Sequence, residues 1–216
     1  MKNGSLPLLT PRKSPRQGRS IATVDAIFEA TLQVLSSDGL IRLNTTRVAR
    51  RAGVSVGTLY QYFPNKQALL YAVLERHLAK LTAAVERACN ESRQCSVETT
   101  AETVVRAYLQ TQLAHAEISP ALYRIALELD AREMIERAVQ QSSSVIAATL
   151  SNSSGVRLED PGLSAHTLTA ALYGTVPAFC HRVLSPENGI EAEKQLTIMF
   201  RSYLTAHQGY TEQDRR

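Results

Sequence analysis

Cysteine is scarce in this chain of 216 residues, which holds only Cys89, Cys95 and Cys180. An odd count without metal-ligand spacing favours reduced thiols over a disulfide framework, with a Cys89–Cys95 redox pair as the alternative. Long apolar runs are missing although hydrophobic residues make up 44% of the chain. No apolar signal segment follows the basic N-terminus either, so no membrane partner and a cytoplasmic location are expected. There is no phosphate loop, dinucleotide fingerprint or metal-ligand cluster. His77, His115, His166, His181 and His207 form no recognisable catalytic constellation. The expectation is therefore no enzyme, no metal and no cofactor. Strand alternation and internal repeats are also lacking.

Acid is absent from residues 1–20, which contain Lys2, Arg12, Lys13, Arg16 and Arg19 among Pro, Ser and Gly. Such a segment does not fold alone and reads as a flexible basic arm over 1–19, able to reach DNA or to act as a solubilising tail. The asymmetry continues beyond it. Residues 1–80 carry a net charge of +8 and residues 81–216 a net charge of −4. A basic first third joined to an acidic remainder suits phosphate contact at one end only.

Helical spacing follows the arm. Ile27, Ala30, Thr31, Val34 and Leu35 recur as one buried stripe, with Gly39 as the stop and Leu40 and Leu43 packing the linker. Residues 45–66, TTRVARRAGVSVGTLYQYFPNK, then read as two short helices and a tight turn. Asn44 or Thr45 caps the first, which buries Val48, Ala49 and Ala52; Gly53 supplies the left-handed backbone of the reversal and Ser55 caps the second. Unrolled at roughly 100° per residue, the second helix turns Leu59 and Phe63 inward. Gly57, Thr58 and Gln61 lie opposite, with Tyr60 and Tyr62 on the flanks. Such a face fits a helix laid in the major groove, where base edges meet its middle and phosphates its flanks; an ordinary helical hairpin with both tyrosines in the core is the alternative.

The run AGVSVGTLYQYFPNKQALL over residues 52–70 resembles the DNA-binding domain of the tetracycline-repressor (TetR-type) family of bacterial transcriptional regulators. The resemblance covers roughly residues 20–75. It implies DNA contacts at Thr45, Thr46, Val56, Gly57, Thr58, Tyr60, Gln61, Tyr62 and Lys66. Arg47 departs from the family pattern, standing where an acidic residue is often found.

After Pro64, Asn65 caps a long helix towards Asn90, whose positive end and Lys66 make a natural phosphate clamp. Further helices are predicted over 97–117, 120–128, 130–152, 163–184 and 189–207. Tyr108, Gln112 and His115 interrupt one apolar face, and Ser143 another. These are candidate ligand contacts in a helical cavity, or else polar groups bonded to neighbouring helices or water. The last two helices are apolar beyond one stripe, which fits either a central position or a shared one. The resemblance implies a four-helix bundle across a two-fold axis, through Leu172, Gly174, Val176, Phe179, Val183, Leu196, Met199, Phe200 and Tyr203.

The whole chain thus reads as all-α. A three-helix helix-turn-helix DNA-binding domain is expected over 20–66 and a helical ligand-binding and dimerisation domain over 67–216. The function expected is that of a sequence-specific transcriptional regulator. Its leading form is a repressor that binds an inverted-repeat operator as a homodimer and answers to a small-molecule effector. An activator and an architectural DNA binder are the alternatives.

Overall fold

The computed structural model describes residues 18–114, 116–153, 158–179 and 186–206, with side chains at 20–114, 116–153, 158–174 and 189–206. The basic arm up to residue 17, His115 and Val183 lie outside the described residues, as do the side chains of Val176 and Phe179. All regular structure among the described residues is helical, in agreement with the all-α expectation.

The chain divides into two compact units, one of Met1–His77 with Pro120–Arg132 and the other of Leu78–Ser119 with Glu133–Arg216. In the first, α1 (Gly18–Arg42) buries Val24, Ile27, Ala30, Thr31, Val34 and Leu35. Thr31 offsets its burial locally, its hydroxyl donating to the Ile27 carbonyl at 2.7 Å. Regular helix is interrupted at Gly39, where φ is 73° and ψ 170°. A side chain there would meet the steric cost that glycine avoids, so the predicted stop is a break in direction with a short continuation to Arg42.

Helix α2 (Thr45–Arg51) follows. Asn44, not Thr45, is its cap, with the side-chain oxygen accepting from the Arg47 N–H at 2.9 Å. Val48 and Ala49 are buried as expected, whereas Ala52 is only half-buried because it has left the helix and forms its C-terminal cap. Gly53, at φ 68°, turns the chain, and Ser55 caps α3 (Val56–Tyr62) by accepting from the Thr58 N–H at 2.9 Å. Leu59 and Phe63 are buried beneath α3. Asn65 caps α4 (Lys66–Glu91) through the Ala68 N–H at 2.7 Å. The boundary between the units falls inside α4, after His77. Helix α6 (Ser119–Glu128), lying almost entirely in the first unit, buries Leu122 and Ile125.

The second unit contains the rest of α4 with α5 (Val97–Leu113), α7 (Arg132–Ser151), α8 (Pro161–Phe179) and α9 (Pro186–Ala206). Its core gathers Val85, Ala88, Val104, Val105, Tyr108, Leu109, Ile146, Leu150, Leu168, Leu172, Phe200 and Leu204. Helix α5 ends four residues short of the predicted 117. Turns fill the interval before α6, with Ala116 N–H on Leu113 C=O at 3.2 Å and Ser119 N–H on Ala116 C=O at 3.3 Å. Helix α8 starts earlier than the predicted 163, since Pro161 fits a first helical position and the Asp160 carboxylate accepts from the Leu163 N–H at 2.8 Å. Among the described residues no helix is long and apolar enough to cross a membrane.

Candidate nucleic-acid interface

The orientation of α2 is set by two of its arginines. Arg47 and Arg51, one helical turn apart, both reach α1: Arg47 forms an ion pair with Asp38, and the Arg51 Nε donates to the Gln33 Oε1 at 2.8 Å. The hydrogen bond from Arg47 holds the Asp38 carboxyl below its ordinary range, aided by the Ser37 hydroxyl. Arg47, the departure from the family pattern, therefore has its own acidic partner nine positions earlier. A third tie joins α2 to α3, where the hydroxyls of Thr45 and Tyr60 lie 3.0 Å apart.

These ties leave α3 with a defined outer side. Gly57 and Gln61 are exposed, Tyr60 is 40% exposed, and Val56, Thr58 and Tyr62 are half-buried. A methyl at Gly57 would meet only the Ser55 hydroxyl, at 3.6 Å, so the backbone at the start of α3 is open to close approach. The Thr58 hydroxyl lies 2.9 Å from that of Ser55 and is shared with the cap. Thr46 is exposed, whereas Thr45 is buried and engaged with Tyr60. Lys66 is half-buried and its Nζ donates to the Leu40 carbonyl at 3.3 Å, tying the start of α4 to the end of α1. Of the residues named from sequence, Thr46, Gly57 and Gln61 face outward, Thr45, Tyr60 and Lys66 hold the helices together, and Val56, Thr58 and Tyr62 are half-buried. Arg50 was not singled out from sequence; it is exposed one turn beyond Thr46.

In the second unit, Tyr108 and Gln112 are buried together, with the amide Nε2 donating to the Tyr108 hydroxyl at 3.3 Å. Gln112 Oε1 is buried without a hydrogen-bond partner among the described residues. The Tyr108 ring lies against that of Tyr173, with centroids 5.1 Å apart, and the Tyr173 hydroxyl is 3.1 Å from that of Ser142. Burial pushes the Tyr173 phenol up despite its bonds with Ser142 and Thr82. Ser143 is buried as well, but its neighbour Ser142 is the serine bonded to Tyr173. The spacing of Ser142 from Ala138 and Ile146, four residues on either side, was the signal for it in the sequence. Among the described residues, two open concavities lie beside α5: one of about 530 Å³ against α4, and one of about 1010 Å³ against α9. Neither is lined by Tyr108, Gln112 or Ser143.

Of the residues named for assembly, Leu172 and Phe200 are buried in the chain's own core, at 0% and 1% exposure. Gly174 is exposed, Met199 is 41% exposed, and Leu196 and Tyr203 are half-buried. The same side of α8 also shows Leu163, Thr167 and Ala170, which the sequence reading passed over.

Residues 27–73 match the family described as bacterial regulatory proteins, tetR family. Over 116 residues the chain is 34% identical to the nucleoid occlusion factor SlmA of Actinobacillus pleuropneumoniae, covering 53% of this chain and 52% of that protein. The chain thus spans about half the length of that relative. Over 62 residues it is 44% identical to the HTH-type transcriptional repressor KstR of Mycolicibacterium smegmatis, covering 29% of this chain and 30% of that protein. A solved tetR-family transcriptional regulator from Streptomyces coelicolor shares the fold, with a TM-score of 0.65 and 19% identity over 88% of this chain and 86% of that one. The helix-turn-helix thus lies inside a match to the tetR family of bacterial regulatory proteins, and the all-α fold of the chain is shared with a solved tetR-family regulator.

Proposed function

We propose that the chain is a sequence-specific transcriptional regulator, acting as a repressor that binds an inverted-repeat operator as a homodimer and releases it when a small molecule binds the second unit. The observation that carries the reading is the outer side of α3. A capped helix start, an exposed glycine and an exposed glutamine are held at a fixed attitude by the bond of Tyr60 to Thr45 on α2, which is itself tied to α1 through Arg47 and Arg51. Gln61 is the side chain suited to bidentate pairing with adenine, and an isologous dimer presents two such helices to a palindrome. KstR, named as a repressor, supports repression. A second reading, a DNA binder that serves the nucleoid and no promoter, draws on the longer match with SlmA.

Selection of bound sites from genomic fragments tests both. A repressor should return a few inverted repeats ahead of genes, and scattered sites without relation to genes would favour the second reading. Gln61→Ala is expected to lose roughly 1–3 kcal/mol of discrimination at one base pair and to leave the remaining positions unchanged. A uniform loss across the site would remove Gln61 from the base-contacting set.

For the effector, support comes from the orphaned Gln112 Oε1, a buried acceptor in search of a donor. Helix α4 belongs to both units, which provides a covalent route from the effector to the reader. An unsatisfied buried acceptor costs about 1–3 kcal/mol, so Gln112→Met should keep or raise stability while the effector concentration needed for release rises. If Gln112→Met lowers the unfolding free energy instead, the amide is a structural member of the core and the effector binds elsewhere.

A further inference from the structure

Helix α2 carries three arginines in seven residues, and the partners of two of them are internal. Arg47 is paired with Asp38 and Arg51 with Gln33, which turns that side of the helix towards α1. Elsewhere in the same unit, Arg76 pairs with Asp25 at 2.6 Å and lies 4.8 Å from the centre of the Phe28 ring, and Lys66 is bonded to the Leu40 carbonyl. Arg42 lies within the electrostatic reach of Asp38. Arg50 differs from all of these. It is exposed, and its guanidinium has no hydrogen bond or ion pair with any described residue. It shares a helix side with Thr46, one turn earlier, which is exposed and too short to obstruct it.

We infer that Arg50 is the cation α2 offers to a DNA phosphate, an interaction that fixes the attitude of the reader without reading sequence. This rests on the DNA-binding reading above. A guanidinium without a partner among the described residues binds a phosphate without first breaking an ion pair such as that of Arg47 with Asp38. Its fixed fork matches the two free oxygens of a phosphodiester. The internal pairs of Arg47 and Arg51 serve the same end by holding α2 so that Arg50 projects outward.

The test uses the full chain on two duplexes of equal length, one recovered from genomic selection and one of random sequence, with affinity measured across a salt series. Arg50→Ala is expected to weaken binding to both by the same factor. It should also flatten the slope of log affinity against log salt by about 0.9 for each phosphate no longer neutralised, or about 1.8 for a complex with two reading heads. Arg50→Lys should retain the slope. Equal thermal midpoints for Arg50→Ala and the parent confirm that folding is intact. A parental slope in Arg50→Ala, with normal parental binding, overturns the inference. So does a loss confined to one base pair, which would make Arg50 a base reader. Failure of the parent to prefer the selected duplex overturns the sequence-reading function itself and is seen before any variant is made.

Discussion

Gly174→Arg is expected to give a well-folded monomer whose affinity for a two-half-site operator is roughly 10²–10⁴-fold lower, because linked half-site binding is lost. Gly174 is exposed on α8 and a Cβ built there meets nothing within 4 Å, so the chain itself has room for a side chain. Replacing a helical glycine also gains helix propensity, by about 1 kcal/mol at most. The damage should therefore appear only between copies. Leu163, Thr167, Ala170 and Gly174 follow one another at helical spacing on an exposed side, and all but Leu163 are small enough to let a second helix approach closely. On a two-fold axis each arginine would face its own copy as a like charge. Sedimentation equilibrium of parent and variant decides the matter. A variant that remains dimeric would remove this side of α8 from the interface.

Phe63→Ala is expected to cost about 3–5 kcal/mol, the usual range for deleting a fully buried aromatic ring. Phe63 is 2% exposed and meets the Phe28 ring edge-on, with centroids 5.7 Å apart. Its N–H closes the last turn of α3 on the Leu59 carbonyl at 2.9 Å, so the ring that anchors the helix sits at the end of its hydrogen-bond ladder. Losing the ring leaves a cavity between α1 and the end of α3, and with it goes the attitude of the outer side. DNA binding should fall with stability, and denaturant titration gives the magnitude. A cost below about 1 kcal/mol would mean that the site collapses around the smaller side chain and that Leu59 alone anchors α3.

The helix-turn-helix was the most legible part of the sequence, because its signals are local. Asn44 and Ser55 bond N–H groups three residues ahead, Gly39 and Gly53 supply positive φ, and Leu59 and Phe63 share a side through spacing alone. Helix ends were less legible where proline governed them. Pro161 opened α8 two residues before the predicted start, an effect that depends on the ring occupying the first helical position. Assembly residues were the least legible. Leu172 and Phe200 have the same apolar character and helical spacing as a shared surface would have, and the fold buried both in the chain's own core.

The sequence by itself determined the all-α class, the turn of the reader and the side of α3 that faces outward, since hydrophobic period, caps and glycines act within a few residues of one another. Only the tertiary structure decided which polar groups are already engaged. Tyr60 meets Thr45 fifteen positions away, Arg51 meets Gln33 eighteen positions away and Tyr173 meets Ser142 thirty-one positions away. Arg50, between two tethered arginines of the same helix, is left facing outward. Such pairings follow from where helices cross and how their side chains are turned, and the periodicity of a single helix carries no record of its neighbour.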